Sequence, residues 1–277
     1  MLVIKSKQSF LDISVPVVMG ILNATPDSFY NKGRESSVHG LLLAAERMVQ
    51  QGASILDIGG ASTRPGQDII GAGEELERIM PVIEAVRRHF PDVWLSVDTY
   101  NSKVAASAVA AGVNMVNDVS AGSIDAGMLA TVAALDVPYI AMHMQGVPAT
   151  MQDDPRYDDV VTEVLNYLAG ICERCADAGI SDVIVDPGFG FGKTVAHNFS
   201  LLRSLHELTA LGKPILAGLS RKSIVCKPLR VNPEHALNGT TALHMVALQQ
   251  GANILRVHDV KEAMETITLF QQLQNKL

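Results

Sequence analysis

Val93-Trp94-Leu95-Ser96-Val97-Asp98 opens a stretch that continues through a helical segment at 102–111, stops at Gly112 and resumes as Val113-Asn114-Met115-Val116-Asn117-Asp118. A short apolar run, a helix-length segment and a second apolar run make one β-α-β unit, and each run ends in a polar side chain. The glycine between them belongs at a helix C-cap, where the chain turns left-handed.

The same unit repeats outward in both directions. Val- and Ile-rich runs lie at 17–22, 54–58, 93–97, 113–116, 138–142, 183–185, 214–217 and 253–257, eight in all. Between them the spacing predicts helices, among others at 38–51, 74–90, 102–111, 157–178, 197–210, 233–250 and 261–274. Gly52, Gly112, Gly179 and Gly251 stand where four of them stop. This alternation is the signature of a parallel sheet in an α/β protein. No G-x-G-x-x-G follows the first run, so eight units closing into a (β/α)₈ barrel fit better than an open doubly wound sheet. The first dozen residues alternate loosely and are expected to form a hairpin plugging the barrel floor. A chain of 277 residues suits one such domain spanning 1–277.

Composition narrows the partners. The 48% apolar content fills a sizeable core, and a net charge of -7 without a charged tail argues against nucleic acid or an anionic membrane. Lys5 and Lys7 are followed by Gln8, Ser9 and Asp12 rather than by an apolar stretch, and no later run approaches about 20 apolar residues, so a cytoplasmic protein is expected. Cys172, Cys175 and Cys226 cannot all pair, and the C-x-x-C lies inside a helical pattern with no second ligand pair nearby, so a disulfide framework or zinc site is not expected.

In a barrel of this kind the site forms at the C-terminal ends of the strands. The runs end in Asn23; Asp57, with Thr63 and Arg64 on its loop; Asp98; Asn117 and Asp118; His143; Asp186; Ser220, Arg221 and Lys222; and Arg256, His258 and Asp259. Strands seven, eight, one and two become neighbours on closure. They bring Arg221, Lys222, Arg256, His258, Arg64 and Asn23 to one arc, while Asp98, Asn117, Asp118 and Asp186 occupy the other. A polarised mouth is expected, with a diphosphate on the cationic arc and a donor-rich heterocycle edge on the acidic one. Asp57 is either a buried acceptor for loop amides or a direct ligand. His143 is expected to pack or hydrogen-bond within the mouth. Asp186, an isolated acid after Val183-Ile184-Val185, needs a partner.

Taken together, several motifs resemble the dihydropteroate synthases. They are Gly20-Ile21-Leu22-Asn23-Ala24-Thr25-Pro26-Asp27-Ser28-Phe29, Asp57-Ile58-Gly59-Gly60, Ser62-Thr63-Arg64-Pro65-Gly66, Asp186-Pro187-Gly188-Phe189-Gly190-Phe191-Gly192-Lys193, Ser220-Arg221-Lys222-Ser223 and Arg256-Val257-His258-Asp259-Val260. Ser96-Val97-Asp98-Thr99, Asn117-Asp118 and Met142-His143-Met144 fall in the same order, so the resemblance runs from Met19 to Val260. It implies condensation of 6-hydroxymethyl-7,8-dihydropterin diphosphate with p-aminobenzoate, assisted by Mg²⁺, to give dihydropteroate and diphosphate in folate synthesis. It also implies roles for particular residues: Asn23 toward Mg²⁺; Thr63, Arg64, Arg256 and His258 toward diphosphate; Asp98, Asn117, Asp186 and Met142 toward the pterin. Lys222 would lie between the substrates, and Phe29, Pro65, Phe191 and Ser223 on the p-aminobenzoate side. Lys222, Arg256, His258 and Asp98 are the candidate catalytic groups, with Arg and His⁺ meeting the leaving charge.

The chain departs from the family pattern at Ala61, where a Glu is frequent, and at Tyr30-Asn31-Lys32-Gly33. Both departures fall in the first two loops, and the first, 25–37, is long enough for a lid. The pterin-binding barrel of corrinoid methyltransferases and a catalytically silent paralogue are the alternatives; the first gives no reason for Arg256 and His258 beside Lys222. An outward apolar face at Leu243, Val246 and Leu248 would suit a homodimer.

Overall fold

The computed structural model describes residues 2–24, 38–61, 70–146 and 150–274. The chain opens with an antiparallel hairpin, β1 (Val3–Ser6) and β2 (Ser9–Asp12). The barrel strands follow as β3 (Val17–Asn23), β4 (Ile55–Gly59), β5 (Trp94–Asp98), β6 (Met115–Asp118), β7 (Tyr139–Met142), β8 (Val183–Asp186), β9 (Leu216–Ala217) and β10 (Ile254–Val257). Every pairing among them is parallel, in the order β8-β7-β6-β5-β4-β3-β10-β9. A parallel bridge between Val185 and Ile215 joins the two ends of that order, so the sheet closes as a (β/α)₈ barrel.

The helices around it are α1 (Val38–Gln50), α2 (Ala72–His89), α3 (Ser102–Ala110), α4 (Met128–Leu135), α5 (Val160–Ala178), α6 (Val195–Arg203), α7 (Ser223–Leu229), α8 (Leu237–Gln249) and α9 (Val260–Gln274). Gly52, Gly112, Gly179 and Gly251 all adopt positive φ after a helix, as the sequence predicts. The segment expected as one helix at 233–250 divides at Ala236 into a short 3₁₀ turn and α8, and the one expected at 197–210 divides at Ser204. Among the described residues no helix is long and apolar enough to cross a membrane.

Period-two alternation sorts the strand residues into two layers. Leu56, Ile58, Leu95, Val97, Val116, Ala141, Val185, Leu255 and Val257 face outward and pack beneath the helices. Val17, Met19, Ile55, Trp94, Met115, Ile140, Ile184, Leu216 and Ile254 fill the inside near the strand starts, joined by Ile4 and Ile13 of the hairpin. The hairpin therefore closes the floor, and Lys5 N–H tethers it to the Asp182 carboxylate at 3.2 Å. Two residues further along each strand, or four in β3 and β5, the inward register delivers Asn23, Asp57, Asp98, Asn117, Met142, Asp186 and Arg256 to the open end. Asp118 takes the outward register. It accepts from Tyr139 Oη at 2.7 Å, from Ser120 N and Oγ at 2.8 and 2.7 Å and from Gly122 N at 2.8 Å, which makes it a turn-holding group in the outer layer.

Candidate active site

At the centre of the mouth Arg256 reaches across the ring. Its Nε donates to Asp57 Oδ2 at 2.6 Å and its Nη2 to Asp98 Oδ2 at 2.7 Å, while Asn117 Nδ2 adds a third donor to Asp57 Oδ2 at 3.0 Å. Asp57 is fully buried, so its charge depends on these contacts. Among the described residues its partners are side chains rather than loop amides. Burial pushes the Asp98 carboxyl up to about 7, against the pull of Arg256, and the nearby Asp57, Glu75 and Asp118 add to the rise. Burial acts against the Arg256 charge, but Asp57 and Asp98 outweigh it and hold the guanidinium above its ordinary value. The two arcs expected to be separate are thus wired together, because an arginine on β10 is long enough to reach carboxylates two and three strands away, on β4 and β5.

The second half is built on the glycine-rich turn after β8. Asp186 Oδ1 accepts from Gly188 N at 2.7 Å, and burial raises its carboxyl against the opposing Lys222. Gly188 has φ +68°, and a Cβ there would lie 1.9 Å from the His143 carbonyl oxygen, so only glycine fits. Lys222 Nζ donates to Phe189 O at 2.7 Å and sits 4.7 Å from the Phe191 ring centre, a cation–π distance. Burial lowers Lys222 to about 8, with Asp186 working the other way. Met142 belongs to an apolar wall with Tyr100, Val119, Met144 and Met151, against which Phe191 and Ala61 pack. The site thus offers carboxylate and amide acceptors on one side and an aromatic-lined lysine on the other.

The anion side differs most from expectation. Arg221, at φ +56°, turns its guanidinium onto Asp259, with Nε and Nη2 at 2.8 and 2.6 Å, and onto Pro233 O at 3.1 Å. Its charge therefore serves the β9 turn. His258 is exposed at the mouth, yet crowding by protein, then Arg256 and Arg221, lowers its ring to about 4. The charged form expected beside the leaving group is therefore disfavoured in the free protein. Ser220 Oγ accepts from His258 N at 3.2 Å and lies 3.0 Å from Nδ1. The serine O–H is then free to donate to Nδ1, which places the ring proton on Nε2. Asn23 ends β3 opposite Gly59, and Ser223 begins α7, half-buried, next to Lys222. Phe29, Thr63, Arg64 and Pro65, with the first loop at 25–37, lie outside the described residues.

Two residues were not singled out from sequence. Lys193 is buried in the β8 turn, and its isolation among Gly and Phe residues was the available signal. Glu75, in the first turn of α2, reads as an ordinary helix-start acid but is fully buried.

Fold and site together define a (β/α)₈-barrel enzyme that takes a flat, donor-rich heterocycle at its mouth. The pterin binding enzyme family model matches residues 19–258, and the dihydropteroate synthase of Escherichia coli (strain K12) is 44% identical over 263 residues, 94% of this chain and 93% of that one. The chain belongs to this family, as a dihydropteroate synthase. The Yersinia pestis dihydropteroate synthase, solved as a sulfonamide drug complex, superposes with a TM-score of 0.94 at 43% identity over 99% of both chains. The Xanthomonas albilineans dihydropteroate synthase superposes at 0.93 and 42% identity with 4-aminobenzoic acid, covering 99% of both chains. Its complex with 7,8-dihydropteroate gives 0.90 and 40%, covering 100% of both.

Proposed function

We propose that this chain transfers the dihydropterin-6-ylmethyl group of 6-hydroxymethyl-7,8-dihydropterin diphosphate to the amine of p-aminobenzoate, releasing diphosphate and dihydropteroate. The observation that carries the reading is the acceptor set Asp98, Asn117 and Asp186 at one mouth with Lys222 against Phe191. Carboxylates and an amide accept the ring N–H donors of a pterin over Met142, and Lys222 beside Phe191 faces the seam with the second substrate. The methylene C–O bond breaks and its electron pair leaves with diphosphate. The amine nitrogen then forms the new C–N bond and gives its proton to solvent. No covalent enzyme intermediate is needed; positioning and charge supply the rate.

For the leaving group, Arg256 has Nη1 without a protein partner among the described residues, and neutral His258 offers Nε2–H. Among the described residues no three His, Cys, Asp or Glu side chains form a metal cluster. A single amide oxygen from Asn23 still fits Mg²⁺, which keeps several waters and takes phosphate oxygens. When bound, the ion would neutralise charge on the departing diphosphate. A homodimer remains our reading of the late helices, supported by half-buried Leu243 and Val246; Leu248 is buried in the core and drops out of that face. Incubation with pterin diphosphate, p-aminobenzoate and Mg²⁺ should release diphosphate and dihydropteroate together, and release of neither would overturn the assignment.

A further inference from the structure

We propose that Lys193 is the positioning residue of the amine half of the site: by clamping the turn 188–192 it sets the Phe189 carbonyl and the Phe191 ring against which Lys222 is aligned. The inference rests on the substrate pair assigned above.

Lys193 is 2% exposed, and its Nζ lies 2.9 Å from His143 Nδ1, 3.0 Å from both Gly188 O and Phe191 O, and 3.3 Å from His143 O. Three carbonyls and a ring nitrogen around one nitrogen suit an ammonium, which has a third N–H where a neutral amine has two. His143 Nδ1 must then accept, and the ring is fixed edge-on to Tyr167 with centres 4.8 Å apart. On the other side Asn198 takes Gly190 N at 2.8 Å and donates to Lys193 O and Thr194 O at 3.3 and 2.7 Å.

The turn needs such a clamp. Gly188, Gly190 and Gly192 all have positive φ, and glycine has no side chain with which to pack. The alternation sends the carbonyls of Gly188 and Phe191 to Lys193 and that of Phe189 to Lys222. One short turn is therefore held between two lysines, one sealed inside the protein and one at the mouth. Releasing the inner one frees the carbonyl and the ring that hold the outer one. The pterin side rests mainly on strand residues Asp98 and Asn117 and on Arg256, and only Asp186, through its bond from Gly188 N, is tied to the turn.

The test compares wild type with Lys193→Met, confirmed as folded by circular dichroism. The KM for p-aminobenzoate should rise about tenfold or more, while the dissociation constant of 6-hydroxymethylpterin by calorimetry rises several-fold less, because Asp186 is its one contact tied to the turn. Reductive methylation of Lys222, followed by peptide mass spectrometry, should accelerate about fivefold as the amine loses its carbonyl partner. The labelling needs no turnover, so an inactive wild type would refute the substrate assignment while this contrast still decided the role of Lys193. Unchanged KM and labelling in the folded variant would overturn the proposal, as would equal losses for pterin and amine. Lys193→Gln, which keeps two N–H donors, is the milder second variant with the same expected outcome. If neither variant folds, Lys193 serves the whole barrel and the proposal fails.

Discussion

Replacing Glu75 by Gln should make the protein gain stability relative to wild type as pH rises. Both Glu75 carboxyl oxygens are buried, and among the described residues neither has a well-formed hydrogen bond: Arg78, one turn further along α2, is turned to Glu74 and to Gly60 O. Burial raises the group from 4.5 to about 7, with Thr99 and Arg78 nearby offsetting part of the effect. A folded value above the unfolded one means that the stability linked to this proton is fully present below pH 4.5 and is lost as pH rises through 7. Integrated between pH 5 and pH 8, that loss is about 2–3 kcal/mol for a shift of this size. Gln cannot ionise and is spared it. Asp98 titrates in both proteins, and losing the Glu75 charge that helps to raise it moves the difference in the same direction. Urea unfolding of both proteins at pH 5 and pH 8 should show the stability difference, variant minus wild type, growing by about 2–3 kcal/mol. A difference that does not change with pH would mean that Glu75 is ionised and partnered in the folded state, and the reasoning would fail.

Arg256→Met leaves Asp57 and Asp98 without their cation, so beyond slowing turnover it should cost about 3–5 kcal/mol in urea unfolding at pH 8. The deficit should shrink at pH 5, where the stranded Asp98 carboxyl can hold a proton; an unchanged unfolding midpoint at pH 8 would count against the bridge. Gly188→Ala forces a Cβ toward the His143 carbonyl at 1.9 Å in a left-handed conformation. It should lower Tm and weaken pterin binding about tenfold or more through the lost Gly188–Asp186 contact, and wild-type calorimetry would refute this. Titration of p-aminobenzoate with and without Mg²⁺-diphosphate should show a coupling of about 1–3 kcal/mol, and equal affinities would mean a preformed amine pocket.

The barrel was legible because its signal is repeated: each of the eight apolar runs became a strand. The boundaries moved toward the C-terminus for a physical reason. In a parallel ladder the polar inward residue after the last apolar one still finds backbone partners, so β5 ends on Asp98 and β8 on Asp186. β9 shrank to Leu216–Ala217, and the ring closes beside it through Ile215. Helices at 128–135 and 223–229 were not named in the reading, since both are short. Ser204 and Ala236 interrupt helices through local 3₁₀ turns that helical periodicity does not register.

The site was legible as a set of positions and less so as a set of charges. Alternation alone separates inward Asn117 from outward Asp118, although the two adjoin in sequence. It cannot say that Arg221 turns away to Asp259 while Arg256 crosses to β4 and β5, because reach and burial decide that. Once those pairings are drawn, the inward charges do not balance: Asp57, Asp98 and Asp186 face Arg256 and Lys222. Lys193, though sealed behind the turn, still acts on Asp186, so the charge left over is eased there rather than at Asp98. Burial, with Asp57, Glu75 and Asp118 nearby, pushes the Asp98 carboxyl up to about 7 against the pull of Arg256. A site in that state favours a ligand edge rich in N–H donors, because each donor does for a buried carboxylate what the shared proton does in its absence.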